Sequence, residues 1–424
     1  MKPSKLHILI WFLKLRYSRY FNSNRISKTR KMRLKKTLSN SPYYQAYSTN
    51  VNLAPVINKQ GFMQHFDEIN TVGIRKEDAL KLAQQSERTR DFSPMIDGIS
   101  IGLSSGTSGN KGIFLTSKRE KAIWVAAVLD RVIGLSLQRR KVAFFLRANN
   151  NLYESVKSKT LSFSFFDIKD PIEKHMDRLI ALSPDILVAQ PSVLNQIANV
   201  YVAKEVTPSF KKVISVAEVL ESDQKIYFQE AFNCRIDQVY QCTEGFLAYT
   251  CSEGKLHFNE DWLLIEKAYL DESKTRFHPI ITDYLRSSQP VVRYELNDII
   301  HEGNICSCGS KSTVIDRIEG RSDDVFIFKN GEMPVIIYPD FIRRSVISAS
   351  DEIKNYFVRM TSNTVIEVSL ELYDNGTEEV AFESVKQQLN STLGDFGISG
   401  VEIRNIAYKH DPMMKFTRIK NASA

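Results

Sequence analysis

Gly102-Leu103-Ser104-Ser105-Gly106-Thr107-Ser108-Gly109-Asn110-Lys111-Gly112 lies between two short apolar runs, 99–103 and 113–116. Four glycines in this window permit tight bends and close approach of a ligand to the backbone. The hydroxyls of Ser104, Ser105, Thr107 and Ser108, with exposed N–H groups, can wrap the oxygens of an anion. The stretch reads as a phosphate cradle, against the alternative of a Ser/Gly-rich surface turn. It is not a Walker loop, which needs GxxxxGK and then Ser or Thr opening a helix; Lys111 is followed by Gly112 and another apolar run.

Downstream, apolar runs alternate with amphipathic segments. Strands are expected at 141–148, 161–168, 185–190, 211–218 and 235–241. Between them Ile172, Met176, Leu179 and Ile180 share one helical face, and 191–204 and 221–232 follow the same pattern. Such alternation implies an α/β fold with a mostly parallel sheet covered on both faces and ligand groups at strand ends. The loop at 102–112 and the segments 215–218 and 240–244 fall at such ends. After Gly245 the closely spaced runs 261–270, 277–285 and 291–300 are expected to form an antiparallel sheet or small barrel. Beyond Asp324 a compact α+β unit of about 100 residues is expected. Its helices fall near 341–349 and around Phe382, Val385, Leu389 and Leu393, with strands between 353 and 372 and near 401–408.

A chain of 424 residues, 43% hydrophobic, can bury a substantial core in two or three domains. Its net charge of +8 is unevenly placed: residues 1–36 hold twelve Lys or Arg and no Asp or Glu, leaving 45 basic against 49 acidic groups elsewhere. The asymmetry points to an amino-terminal helical arm, 1–48, as the part that meets an anionic partner. Nucleic acid is not expected as that partner. The run LHILIWFLKL, 6–15, is too short to span a bilayer, and no small-residue cleavage site follows it. A basic helix with Ile8, Trp11, Phe12 and Leu15 on one side either lies on an anionic membrane or an acidic carrier protein, or packs those residues on the protein's own core.

Five dispersed cysteines suit an intracellular protein with thiols or a metal site, so the expected location is cytoplasmic, with the arm allowing a position at the inner face of the membrane. Cys251 and His257 are followed about fifty residues later by Cys306 and Cys308, four ligands that suffice for a closed tetrahedral Zn²⁺ site. The Cys-x-Cys spacing is tighter than the usual zinc pair, which keeps free cysteines as the alternative. No Ser-His-Asp order, paired-carboxylate arrangement or dinucleotide fingerprint is present.

Four further segments follow the glycine/hydroxyl loop in order: Tyr240-Gln241-Cys242-Thr243-Glu244, Arg293-Tyr294-Glu295-Leu296-Asn297-Asp298, Gly320-Arg321-Ser322-Asp323-Asp324 and Lys415-Phe416-Thr417-Arg418. Together with SSGTSGNKG they resemble the ordered signatures of the adenylate-forming superfamily, over roughly residues 40 to 418. His257-Phe258-Asn259-Glu260-Asp261 and Cys306-Ser307-Cys308-Gly309 resemble the phenylacetate-CoA ligase and capsule-protein-K-like branch.

The resemblance implies a large ATP- and substrate-binding domain, 49–322, and a small mobile domain, 323–424. It implies that Ser104, Ser105, Gly106, Thr107, Ser108, Gly109 and Lys111 hold the β- and γ-phosphates of ATP. Thr243 would lie near the α-phosphate and Glu244 beside Mg²⁺, a hard cation suited to oxygen ligands. Tyr240 would face the adenine, with Ala217 and Glu218 bordering it. Asp298 would accept the ribose hydroxyls and Arg321 would reach ribose or phosphate. Lys415 would stabilise charge during adenylation, although Asp411-Pro412-Met413-Met414 lacks the glycine that commonly precedes this lysine. Asn297 likewise stands where glycine commonly precedes the aspartate. The implied activity joins a carboxylic acid, aryl or medium-sized and apolar, to AMP and passes it to a thiol of CoA or an acyl-carrier protein. Two alternatives stay open: transfer of AMP to a hydroxyl or phosphate, and a non-catalytic scaffold of the same fold.

Overall fold

Strands whose residues are nearly all apolar need cover on both faces, and they organise the first part of this chain. The structure is a computed structural model describing residues 4–21, 26–89, 91–103, 112–134, 138–146, 160–168, 170–321, 324–330, 333–373, 377–408 and 417–423. Helices α1 (Lys5–Phe21), α2 (Lys28–Leu38), α3 (Lys59–Gln64), α4 (Phe66–Ile69) and α5 (Lys76–Thr89) come first. A three-stranded antiparallel sheet follows: β1 (Met95–Ile96), β2 (Ile99–Leu103) and β3 (Ile113–Thr116). Then come α6 (Lys118–Val128), β4 (Arg140–Leu146), β5 (Leu161–Asp167), α7 (Glu173–Leu182), β6 (Ile186–Ala189), α8 (Pro191–Ala203), β7 (Lys212–Ser215), α9 (Ser222–Phe232) and β8 (Ile236–Gln241). The strands β9 (Phe246–Thr250), β10 (Leu256–Phe258), β11 (Leu263–Tyr269), β12 (Arg276–Asp283), β13 (Tyr294–Glu295), β14 (Asp298–Glu302) and β15 (Val314–Arg321) complete this part.

Strands β5, β4, β6, β7 and β8 pair in parallel in that order, as the alternation of strand and helix requires. Phe145, Phe166, Leu187 and Val213 of the sheet pack with Met176 and Leu179 of α7, Leu194 and Ile197 of α8, and Phe228 and Phe232 of α9. Each such side chain contributes about 1.5–3 kcal/mol by leaving water. From β8 the sheet continues through β9, β10, β15, β14, β12 and β11. The small barrel expected after Gly245 is absent among the described residues: β15 pairs back onto β10, so the antiparallel strands extend the parallel sheet and end at β11.

The chain divides into two compact units, 1–296 with 300–317, and 297–299 with 318–424. The second unit is α+β. It holds a hairpin of β16 (Phe326–Asn330) and β17 (Met333–Ile337), α10 (Pro339–Ile347), and a four-stranded sheet built on β18 (Ile353–Ser362) and β19 (Val365–Leu372). Helix α11 (Glu378–Asp395), β20 (Glu402–Asn405) and β21 (Ile419–Asn421) complete it, in the sheet order β20-β19-β18-β21. Alternate residues Tyr356, Val358 and Met360 of β18 face Val385, Leu389 and Leu393 of α11 in one core.

In the first unit, α1 packs on α6, and the choice the sequence left open is settled there: Ile8, Phe12 and Leu15 are buried in the protein's own core. A π-helical turn, Leu129–Ile133, extends α6 and carries Asp130 and Arg131, both buried. Arg131 bonds both oxygens of Asp261 at 3.0 Å through Nη2 and meets Asp130 at 3.2 Å through Nη1. Its guanidinium also lies over the rings of Tyr249 and Trp262, at 5.1 and 5.2 Å. Arg16 and Arg19 of α1 reach Asp130 at 3.3 and 3.2 Å, and Arg30 of α2 reaches the Asp261 carboxylate at 3.6 Å and its backbone carbonyl. Asp261→Ala leaves two buried guanidinium groups without their carboxylate, and it is expected to cost about 3–5 kcal/mol of stability, measured as a lowered urea midpoint. An effect below about 1 kcal/mol, the usual value of an exposed pair, would show that the network is not desolvated.

Candidate active site

The parallel strand β8 ends in a tight connection to β9. The register slips between Tyr240 and Gln241, and Cys242 and Gly245 exchange backbone hydrogen bonds at 3.0 and 3.3 Å. Thr243 and Glu244 therefore stand at the tip of a hairpin beyond the carboxyl end of a parallel strand, where open α/β sheets bind ligands. Both oxygens of Glu244 accept hydroxyls: Oε1 from Tyr294 at 2.7 Å and Oε2 from Thr243 at 2.9 Å. Each oxygen keeps a further lone pair for a hard cation.

In the sequence Tyr294 stands out only as one residue of the 293–298 segment, and its bond to Glu244 gives it a specific place in the site. Its neighbour Arg293 adopts φ 43°, a conformation rare for a side-chain-bearing residue, and holds Glu266 at 2.8 Å and the carbonyl of Ala54 at 2.9 Å. Arg286 is a second residue that sequence reasoning missed. Its Nη1 lies 3.5 Å from the carbonyl of Thr243 and its Nη2 3.3 Å from that of Leu115 on β3. Gln289 fixes the same strand, accepting from the Leu115 N–H at 3.0 Å and donating to the Ile113 carbonyl at 3.2 Å. The strand that leaves the glycine/hydroxyl loop is thereby tied to the segment beside Thr243. The signal in the sequence was weak, a single Arg-Ser-Ser-Gln run among many polar stretches.

Asp283 and Glu120 support this segment. Asp283 Oδ1 accepts the N–H groups of Leu285 at 2.7 Å and Arg286 at 3.2 Å, while burial pushes its carboxyl up to about 6. Glu120 is also buried. Burial opposes its charge, but Arg286 and the donors of Ser117, Ser287 and Ser288 hold its carboxyl below the usual range.

At the end of β7, Ala217 has φ 69°, a left-handed conformation that costs an alanine about 1–2 kcal/mol and marks a constrained turn. Glu218 accepts from the backbone N–H and hydroxyl of Ser192, both at 3.1 Å, at the amino end of α8. Tyr240 is buried and meets Phe258 edge-on at 6.3 Å. In the second unit Asp298 and Arg321 are brought together, Oδ1 to Nε at 3.6 Å. Ser104, Ser105, Gly106, Thr107, Ser108, Gly109, Lys111 and Lys415 lie outside the described residues.

Cys251, His257, Cys306 and Cys308 converge where β9, β10 and the segment before β15 meet, their ligand atoms all within 4.8 Å of one another. Thiolates at about 2.3 Å and an imidazole nitrogen at about 2.0–2.1 Å from a tetrahedral ion stand about 3.8 Å sulfur to sulfur and about 3.6 Å sulfur to nitrogen. The Cys251 and Cys306 sulfurs are 3.7 Å apart, and Cys308 Sγ is 3.5 Å from His257 Nε2. His257 Nδ1 lies 3.1 Å from the carbonyl of Ser312, which fixes the ring with Nε2 toward the sulfurs. Burial lowers the pKa of His257, favouring the neutral, ligating form. The donor set fits a four-coordinate ion.

No protein-family model and no curated protein sequence matches the chain. Solved structures do. A 2-hydroxyisobutyryl-CoA ligase, in the postadenylation state with 2-HIB-AMP, is 15% identical with a TM-score of 0.66, over 92% of this chain and 88% of that one. An acyl acid amido synthetase is 13% identical with a TM-score of 0.54, over 91% and 87%. The amide bond synthetase McbA from Marinactinospora thermotolerans is 12% identical with a TM-score of 0.52, over 75% and 67%. This chain has the fold of the adenylate-forming enzymes.

Proposed function

We propose that the protein is an ATP- and Mg²⁺-dependent enzyme that joins a carboxylic acid to AMP and passes the acyl group to a thiol. The observation that supports this most directly is the meeting of Thr243, Glu244, Arg286 and Tyr294 at the carboxyl end of β8, in a fold shared with acyl-CoA ligases. In the first step a carboxylate oxygen bonds to the α-phosphorus of ATP, the bridging P–O bond breaks, and pyrophosphate leaves. In the second a thiolate attacks the acyl carbonyl and AMP leaves. The barrier of the first step lies in bringing two anions together and in charge developing on phosphate oxygens, so positioning and positive potential matter more than a protein nucleophile.

In this reading Lys111 and the loop hydroxyls hold the terminal phosphates and Glu244 holds Mg²⁺. Asp298 and Arg321 take the ribose, and Lys415 faces the reacting carboxylate and α-phosphate. Arg286, tied to Thr243 and β3, adds fixed positive charge beside the loop's exit strand. With its carboxylate held by Ser192, Glu218 offers the base its backbone and the strained turn at Ala217. The acid is aryl or medium-sized and apolar, the acceptor is CoA or a carrier protein's phosphopantetheine, and the setting is the cytoplasm. The four-ligand cluster holds a structural Zn²⁺ with no open position for chemistry.

Pyrophosphate release from ATP and Mg²⁺ is expected to depend on added acid across a panel of aryl, aliphatic and amino acids. Lys415→Ala is expected to lower it by about 10²–10³-fold, as removal of a preorganised charge-stabilising group does. Release with no acid dependence, or AMP retained on a hydroxyl product, would overturn acid activation. Purified protein is expected to carry a single Zn²⁺ by elemental analysis, and Cys306→Ser is expected to lose the metal and lower the thermal midpoint while the His257→Ala variant does the same. Full zinc retention in both variants, or five freely titrating thiols in metal-free wild type of unchanged midpoint, would refute the site.

A further inference from the structure

Helix α1 is apolar on two opposite faces. Ile8, Phe12 and Leu15 are buried against the first unit, but Leu6, Leu9, Ile10, Leu13, Tyr17, Tyr20 and Phe21 are 38% to 70% exposed. With 3.6 residues per turn, these seven side chains fall within about 120° of the helix circumference. They form one continuous stripe, and none of them is needed to bury the other face. Scattered apolar residues on a surface need no explanation, whereas a contiguous stripe along a whole helix does.

The charges around the stripe identify what it meets. Lys14 and His7 border it on one side and Lys5 on the other, by the same angular count, while Arg16 beside Lys5 is turned to the buried Asp130. The neighbouring α2 presents exposed Lys28, Lys31, Arg33, Lys35 and Lys36, with Met32 exposed among them. No acidic residue occurs in the first 66 positions. An apolar stripe with aromatic residues at one end, between cationic margins, is the composition of a helix lying in the headgroup region of an anionic bilayer. Tyr17 and Tyr20 suit that level, where a ring is buried and a hydroxyl stays wet. No helix among the described residues is long and apolar enough to cross a membrane, so the helix lies on the surface.

We propose that this outer face of α1, with the basic side of α2, docks the first unit on an anionic lipid surface. The face is the opposite of the Ile8/Trp11/Phe12/Leu15 side that the sequence singled out. Because Arg16 and Arg19 bind Asp130, and Arg30 binds Asp261, the docking hairpin is fastened to the core and presents a rigid face. The proposal does not rest on the adenylating activity, and its readout is partition rather than turnover.

The test is co-sedimentation of the full chain with vesicles of phosphatidylcholine alone and of an equimolar mixture with phosphatidylglycerol. Wild type is expected to partition onto the anionic vesicles and to be released by high salt. Leu9→Glu combined with Leu13→Glu is expected to lower that partition at least about 10-fold with an unchanged thermal midpoint, since both side chains are exposed. Lys31→Glu with Lys35→Glu is expected to weaken it in the same direction. Absence of partition onto anionic vesicles, equal partition onto neutral ones, or partition untouched by the leucine variant would each overturn the proposal. So would a wild-type dimer, or a complex with an acidic carrier protein, that the leucine variant dissociates while vesicles bind neither form.

Discussion

A guanidinium buried among two carboxylates is the constraint on which the first unit depends. Arg131 joins Asp130 to Asp261, and its loss would leave Asp130 to Arg16 and Arg19 and Asp261 to Arg30 alone. Burial pushes the Asp261 carboxyl up and works against the charge on Arg30, so the arrangement survives through its geometry and not through cheap solvation. The π-helical turn after α6 carries both Asp130 and Arg131, each buried. Through Arg16, Arg19 and Arg30 the same centre fixes the amino-terminal hairpin, which accounts for a strongly basic segment becoming ordered structure with no acids of its own.

The support under Thr243 shows how two similar side chains acquire different proton affinities. Glu120 and Asp283 are both buried and both feel Arg286, yet the first is held below the usual carboxylate range and the second is raised to about 6. Glu120 receives several hydroxyl and N–H donors across the 287–288 segment, whereas Asp283 spends one oxygen on two backbone groups and also feels the charge of Glu120. At neutral pH both carboxyls are therefore ionised, and Asp283 is the one that takes up a proton as pH falls toward about 6. Between them they hold the Arg286 guanidinium near the Thr243 carbonyl.

Much of this was legible in the sequence. The alternation from 141 to 241 located the parallel strands and their helices to within a few residues, because strands covered on both faces carry unbroken apolar runs. The cysteine and histidine spacing also pointed to a cluster that the fold brings together. What stayed hidden has physical causes. Closely spaced strands after Gly245 are compatible with a closed barrel or an extended sheet, and the decision lies in β15 pairing with β10, a contact over more than fifty residues. Helix α1 carries apolar residues on both faces, so periodicity alone does not say which is inside. Arg286 owes its place to Thr243 and Leu115, groups more than forty and one hundred residues away, and no local pattern marks it.

The two candidate centres of the first unit share one strand. Strand β9 begins beside the turn carrying Thr243 and Glu244 and runs into Cys251, so the carboxylate turn and the ligand cluster sit at opposite ends of about six residues, roughly 20 Å apart. At that separation a unit charge contributes about 0.8 kcal/mol at an effective dielectric of about 20, so a closed metal site would add little field at Glu244. Its influence would be mechanical: a bound ion would fasten β9, β10 and the 306–312 segment at one edge of the sheet. A metal there would stabilise the platform, while the fixed positive charge beside Thr243 is that of Arg286.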